Sequence, residues 1–294
     1  MKDSPRSYRE WLHNDETMTV YDKLLQGIEL LDERIIIRTD LSVEESFDRI
    51  AAAVDYDNPQ LYYVDFRKLD MSEVYVSKKF WGTKPAYSMS RKIRDKTDSE
   101  IDMVIGKVLC EAVKEKTFEE RYWTLYKWLM DRCESVDYKD APPEAGCITG
   151  PFLHKTATCE GYAKSFKYLS DKMNGMLPAA ARCECVVAVA ENPDEESDEP
   201  GHAWNIIFDK DGEAHHCDIM LETDKYIDQD EAKGFMLPAE DLCGAEEPDG
   251  NRVPVEADDS WITEDSLNNK TTATVSITIN GAVFVNGNVN INIK

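Results

Sequence analysis

The chain has 294 residues, 42% hydrophobic and 31% charged, which supplies a buried core and excludes a disordered or collagen-like polymer. Its 58 acidic residues outnumber 34 basic ones, and the resulting net charge of −24 argues against nucleic acid and anionic membrane as partners. No apolar run approaches the roughly 20 residues of a membrane-spanning helix. Met1-Lys2-Asp3-Ser4-Pro5 leads into polar sequence rather than an apolar leader, which points to the cytoplasm for the chain as given; removal of a leader would move that to the cell surface or beyond.

In chain order, Val20, Leu24, Leu25, Ile28 and Leu31 fall at helical spacing, Ile35-Ile36-Ile37 reads as a strand, and 43–54 as a second helix. Leu61-Tyr62-Tyr63-Val64 and Val74-Tyr75-Val76 read as strands, followed by a loop through Trp81-Gly82-Thr83-Lys84-Pro85. Thr97-x-x-Glu100 and Thr117-x-x-Glu120 have capping-box spacing. Each precedes an apolar stripe, Ile101, Val104, Ile105 and Val108 in the first and Tyr122, Leu125, Leu129 and Met130 in the second, and such stripes are core. After a loop through 138–151, residues 159–173 read as a helix and 183–190 as a strand. An acidic loop over 191–200 carries six carboxylates and no base, and 202–208 and 214–221 form a hairpin. Near the end, Asn280-Gly281 and Asn286-Gly287 separate alternating segments, the signature of a three-stranded meander. The division that follows is an N-terminal α/β extension over 1–96, a core over 97–255 and a C-terminal β tail over 256–294.

Eight cysteines are too sparse for a disulfide scaffold, and no pair is spaced Cys-x-x-Cys. Cys183 and Cys185 share a strand face, where Cys217, His215 or His216 could complete a metal site, but small buried residues on strands account for them as well. No cofactor or metal is therefore called for. Thr158-Cys159-Glu160-Gly161-Tyr162-Ala163 places a cysteine where loop becomes helix, where unpaired N–H groups and the helix dipole favour thiolate. Gly201-His202-Ala203-Trp204-Asn205 begins one strand of the hairpin, and His216-Cys217-Asp218 lies on its partner. A nucleophile, a base and a carboxylate that orients the base are the parts of a Cys-His-Asp acyl-transfer site.

As a set, Cys159-Glu160-Gly161-Tyr162-Ala163, Gly201-His202-Ala203-Trp204-Asn205 and the hairpin to Asp218 resemble the transglutaminase-like superfamily in its bacterial type, over roughly 101–242. The resemblance implies a papain-like α+β core in which a cysteine-bearing helix packs on an antiparallel sheet that supplies histidine and aspartate. It assigns nucleophile, general base and orienting carboxylate to Cys159, His202 and Asp218. The implied activity is cysteine-dependent acyl transfer on an amide through an acyl-enzyme, of the peptidase, amidase or transglutaminase kind; the family also contains catalytically silent binding or scaffolding modules. Two features depart from it. Ile219-Met220-Leu221 stands where a Thr-Trp pair often follows the aspartate, and no Gln or Asn between Phe118 and Cys159 is available for the oxyanion. The Cys159 N–H supplies one oxyanion donor, with Tyr138, Thr149 and His154 as candidates for the other and Trp204 as a core or cleft-wall residue. His215 and His216 read as surface residues or decoys.

Two expectations are geometric and electrostatic. Side chains alternate along strands, so His202 and Asp218 share a face if they pair directly across a five-residue connection, and a one-residue slip would turn Asp218 away. The carboxylates of 191–200 just before His202 favour a protein or peptide substrate that is neutral or basic near the scissile amide.

Overall fold

A computed structural model describes residues 7–12, 14–41, 43–69, 71–74, 80–190, 201–222 and 225–237, with two short strands at 277–279 and 282–284. The acidic loop over 191–200, Tyr75 and Val76, and the last strand expected of the meander lie outside the described residues. No helix among the described residues is long and apolar enough to cross a membrane.

The fold mixes helices with small sheets. Helix α1 (Tyr8–Trp11) precedes α2 (Asp15–Leu30), which starts where the Asn14 side chain accepts from the Glu16 N–H and ends where Leu31 turns to φ 57°. Strand β1 (Ile35–Arg38) is followed by α3 (Val43–Asp57), then β2 (Met71–Val74) and β3 (Phe80–Thr83). These strands form an antiparallel sheet in the order β1-β3-β2. The stretch expected as a loop at 81–85 is thus the central strand as far as Thr83: Gly82 sits between Ile36 and Ser72, and Trp81 is buried. Conversely, the strand expected at 61–64 is a 3-10 turn over Pro59–Leu61, and only Val64 makes a bridge, to Tyr87. Proline at the first position of that turn fixes a helical φ, and the Leu61 N–H returns to the Asn58 carbonyl at 2.9 Å.

Helix α4 (Arg91–Ala112) begins six residues before the expected capping box, so Thr97 and Glu100 lie inside it. Helix α5 (Phe118–Arg132) does begin on its box: Thr117 Oγ1 accepts the Glu120 N–H at 3.1 Å, and Glu120 Oε2 accepts the Thr117 N–H at 3.0 Å. Two-residue strands β4 (Glu134–Ser135) and β5 (Thr156–Ala157) pair in parallel and close the intervening loop, which contains a π turn over Gly150–His154. Helix α6 (Cys159–Met176) leads to β6 (Glu184–Ala190), β7 (His202–Phe208) and β8 (Ala214–Cys217), an antiparallel sheet in that order. Strands β9 (Ile277–Ile279) and β10 (Ala282–Phe284) pair antiparallel across 280–281.

Strand alternation gives the β6-β7-β8 sheet two buried faces. Val186, Ala188, Trp204 and Ile206 join one core with Leu24, Ile28, Ile50 and Trp81 from the N-terminal segment. Cys185, Ile207 and Cys217 face the other way, into a core with Ile105, Leu125 and Phe166 from α4, α5 and α6. The sheet is therefore a middle layer between the N-terminal segment and the long helices, with α6 packed along β6 and β7.

Candidate active site

Cys159 is the first residue of α6 and is partly buried against the core that includes the N-terminal segment. Thr158 caps the helix: its Oγ1 accepts the Gly161 N–H at 3.3 Å, while its own N–H donates to the Ala145 carbonyl at 3.0 Å. The same carbonyl occupies the space that a Cβ on Gly161 would take, so a side chain there is incompatible with the strap formed by the 143–147 loop. Those contacts fix the direction in which the first turn of α6 presents Cys159.

The hairpin supplies the other two groups. Strand β7 meets β8 with Asn205 opposite Cys217, Ile206 opposite His216 and Phe208 opposite Ala214. Extending this register sets Asp218 across from Trp204, two residues from the pairing expected with His202. The shift preserves parity, so His202, Trp204, His216 and Asp218 share one face. The five-residue connection runs over 209–213 rather than 208–212, because Asp209 Oδ1 accepts the N–H groups of both Asp211 and Glu213 at 2.9 Å and the Asp209 N–H bonds the Glu213 carbonyl. His202 Nε2 and Asp218 Oδ2 are 2.6 Å apart across the diagonal.

Asp218 is held at every polar atom the backbone and side chain offer. Its Oδ1 accepts the Met220 N–H at 3.0 Å, capping a 3-10 turn over Ile219–Leu221. Its N–H donates to the Gly234 carbonyl at 2.7 Å, and its own carbonyl accepts from the Tyr126 hydroxyl at 3.0 Å. The one Tyr126 hydroxyl proton is shared between that carbonyl and Glu222 Oε1, which lies 2.7 Å away, and Glu222 accepts the Gly234 N–H at 2.9 Å. The Asp218 carbonyl lies where a Cβ on Gly234 would be, so only glycine lets that segment approach.

The His202 side chain is 12% exposed. Burial disfavours its imidazolium, but the Asp218 charge, the Asp218 hydrogen bond and the Cys159 sulfur outweigh burial and hold the imidazole well above its ordinary value. With Nε2 turned to Asp218, Nδ1 is the ring nitrogen left for the sulfur. Among the other cysteines, burial pushes Cys133 and Cys217 up to about 12, and Cys185 further.

Of the four residues expected at the cleft, Trp204 meets this group, stacking on His202 with ring centroids 5.8 Å apart and planes at 22°. Tyr138 is exposed and interacts with Arg67, His154 is exposed at the end of the π turn, and the buried Thr149 hydroxyl bonds Cys147 Sγ at 3.1 Å. His216 is not a surface residue. It is 1% exposed and accepts the Trp204 indole N–H on Nδ1 at 3.0 Å, while burial and then the His215 charge lower it to about 4, so it is neutral and fixes the indole beneath His202. Cys183, Cys185, Cys217 and His216 do not gather as metal ligands; among the described residues the donor group within 4.8 Å is Asp209, Glu213 and His215.

Sequence reading missed what α3 brings. Lys164, one turn after Glu160 on α6, is 6% exposed and bonds both Asp55 and Glu160 at 2.8 Å, with its ammonium 5.1 Å from the Tyr56 ring. Burial lowers the Lys164 ammonium's affinity for its proton, but the two carboxylates reverse this and raise it. Tyr56 is pushed well above its ordinary value by burial and then by the charges of Glu160 and Asp55. The signal was the Glu160/Lys164 spacing, an i,i+4 pair on a helix whose neighbours Ala163 and Ser165 are also buried.

No family model and no curated protein matches the chain. Among solved structures, one described as the crystal structure of a TGase matches with 11% identity over 67% of this chain and 54% of that chain, at a TM-score of 0.33. The chain thus spans about half the length of that structure, and a likeness of this degree carries no argument about fold or activity.

Proposed function

We propose that the protein performs cysteine-dependent acyl transfer on an amide, with Cys159 as nucleophile, His202 as acid and base and Asp218 as the group that orients His202, in a papain-like, transglutaminase-like arrangement. The observation that carries this reading is the 2.6 Å contact between His202 and a fully anchored Asp218, in a chain whose Cys159 opens helix α6.

In this reading the Cys159 sulfur attacks the amide carbonyl carbon, and the oxyanion that forms lies within reach of the Cys159 N–H. Imidazolium at His202 gives its proton to the departing nitrogen, the C–N bond breaks, and a thioester to Cys159 remains. Neutral His202 then takes a proton from water or from an incoming amine, which attacks the thioester and releases Cys159 as thiolate. Asp218 fixes the ring orientation and stabilises the imidazolium throughout. A net charge of −24 supports a protein or peptide substrate that is neutral or basic near the scissile amide.

Incubation with an unfolded protein substrate, with and without an excess of a fluorescent primary amine, tests the reading and assigns its subclass. Amide-linked fluorophore means a transferase, new termini or free acid means a hydrolase, and either product must vanish in Cys159→Ala. The absence of both products would leave a silent binding module.

A further inference from the structure

At the far end of the hairpin that carries His202 and Asp218, three side chains converge that the proposed reaction does not use. Asp209 is 8% exposed, Glu213 is exposed, His215 is intermediate, and one donor atom from each lies within 4.8 Å of the others. Two details separate this group from a chance cluster of carboxylates. His215 Nε2 is buried and has no hydrogen-bond partner, a costly state for a ring nitrogen. Its separation from Asp209 Oδ2 is 3.6 Å, too long for a hydrogen bond. Donors that each stand about 2.1 Å from one ion are separated by about 3.0 to 3.6 Å, depending on the angle between them.

We propose that Asp209, Glu213 and His215 bind a divalent cation. One imidazole nitrogen with two carboxylates suits a borderline ion such as Zn²⁺, Mn²⁺ or Co²⁺ better than Ca²⁺ or Mg²⁺, which take oxygen ligands throughout. Asp209 Oδ1 is already fixed by the Asp211 and Glu213 N–H groups, which leaves Oδ2 for the ion, and the Phe118 ring packs on the His215 imidazole with centroids 5.2 Å apart. Glu213 is the solvent-facing ligand, and water completes the coordination. Asp209 follows the last residue of β7 and Glu213 precedes β8, so the ion ties the two strands together at their connection. At about 3.3 Å per strand residue it lies roughly 20 Å from His202, so it braces the hairpin and takes no part in acyl transfer.

The test uses the full chain after dialysis against EDTA. Titration with Zn²⁺ should show one equivalent bound and a melting temperature raised by several degrees. Co²⁺ should give weak visible bands without the near-ultraviolet charge-transfer band of a thiolate ligand. Glu213→Gln, at an exposed position, and His215→Asn should each weaken Zn²⁺ binding at least tenfold while leaving the melting temperature in EDTA within a few degrees of the parent. Failure to bind an equivalent of Zn²⁺, a thiolate band with Co²⁺, or undiminished affinity in Glu213→Gln would each overturn the proposal.

Discussion

His202 illustrates how two partners decide a protonation state that burial alone would reverse. Desolvation disfavours the imidazolium, yet the Asp218 carboxylate at 2.6 Å and the neighbouring sulfur raise its affinity for the proton. An unfolded histidine titrates near about 6.5, so the folded state binds more protons at any pH between that value and its own higher one. The contribution to stability is complete below about pH 6.5 and is lost as pH rises through the folded value, with a slope of at most about 1.4 kcal/mol per pH unit. In a Cys159→Ala background, which removes the thiol's titration, urea denaturation from pH 6 to 9 should show this decline, and Asp218→Asn should flatten it. A pH-independent difference between the two proteins would mean that Asp218 does not bias the imidazole. The meeting of these two residues was legible because strand alternation constrains parity. Tyr56 and Lys164 were not, since nothing near 159 in the chain indicates that the end of α3 covers the start of α6.

The hairpin and the cysteine-bearing helix show where local patterns suffice. The boundaries 202–208 read directly from the sequence because β7 is apolar and closed by Asp209. Its register was right in parity and shifted by two positions, since the Asp209 side chain captures the N–H of Glu213 and draws that residue into the turn. The box at Thr97 failed for another reason: the polar residues before it propagate α4 back to Arg91, and no break in the chain competes. On α6, Gly161 is required by the Ala145 carbonyl rather than by any backbone conformation. Gly161→Ala must push the 145–147 strap away from the helix start, at a cost of about 1 to 3 kcal/mol in chemical denaturation. It should also lower the alkylation rate of Cys159 more than its loss of stability accounts for. A variant with unchanged stability and unchanged Cys159 reactivity would show that the strap does not position the thiol.

Across the whole molecule, the N-terminal segment is not a detachable ornament, because Trp81, Ile50 and Leu24 share one core with Trp204, Ile206 and Ala188. The Asp55–Lys164–Glu160 network joins the same parts through charge. Lys164→Met leaves the partly exposed Asp55 and Glu160 carboxylates without their cation, a loss below the roughly 3 to 5 kcal/mol of breaking a fully buried ion pair. Adding Asp55→Asn to that variant should recover a substantial part of the loss in urea denaturation. If Lys164→Met is neutral, the network does not join α3 to α6. Sequence composition could not announce this dependence: a sheet buried on one face by the N-terminal segment and on the other by the long helices is a property of the assembled layers, not of any window.

The claim on which the account rests is that Cys159 is the activated nucleophile. Brief treatment of the native protein with iodoacetamide at pH 6, followed by peptide mapping of all eight cysteines, tests it most directly. The account predicts that Cys159 is labelled first, ahead of Cys133, Cys185 and Cys217, whose thiols burial holds protonated. His202→Ala should slow that labelling at least tenfold. Labelling of another cysteine first, with Cys159 inert, or labelling of Cys159 that His202→Ala leaves unchanged, would contradict it.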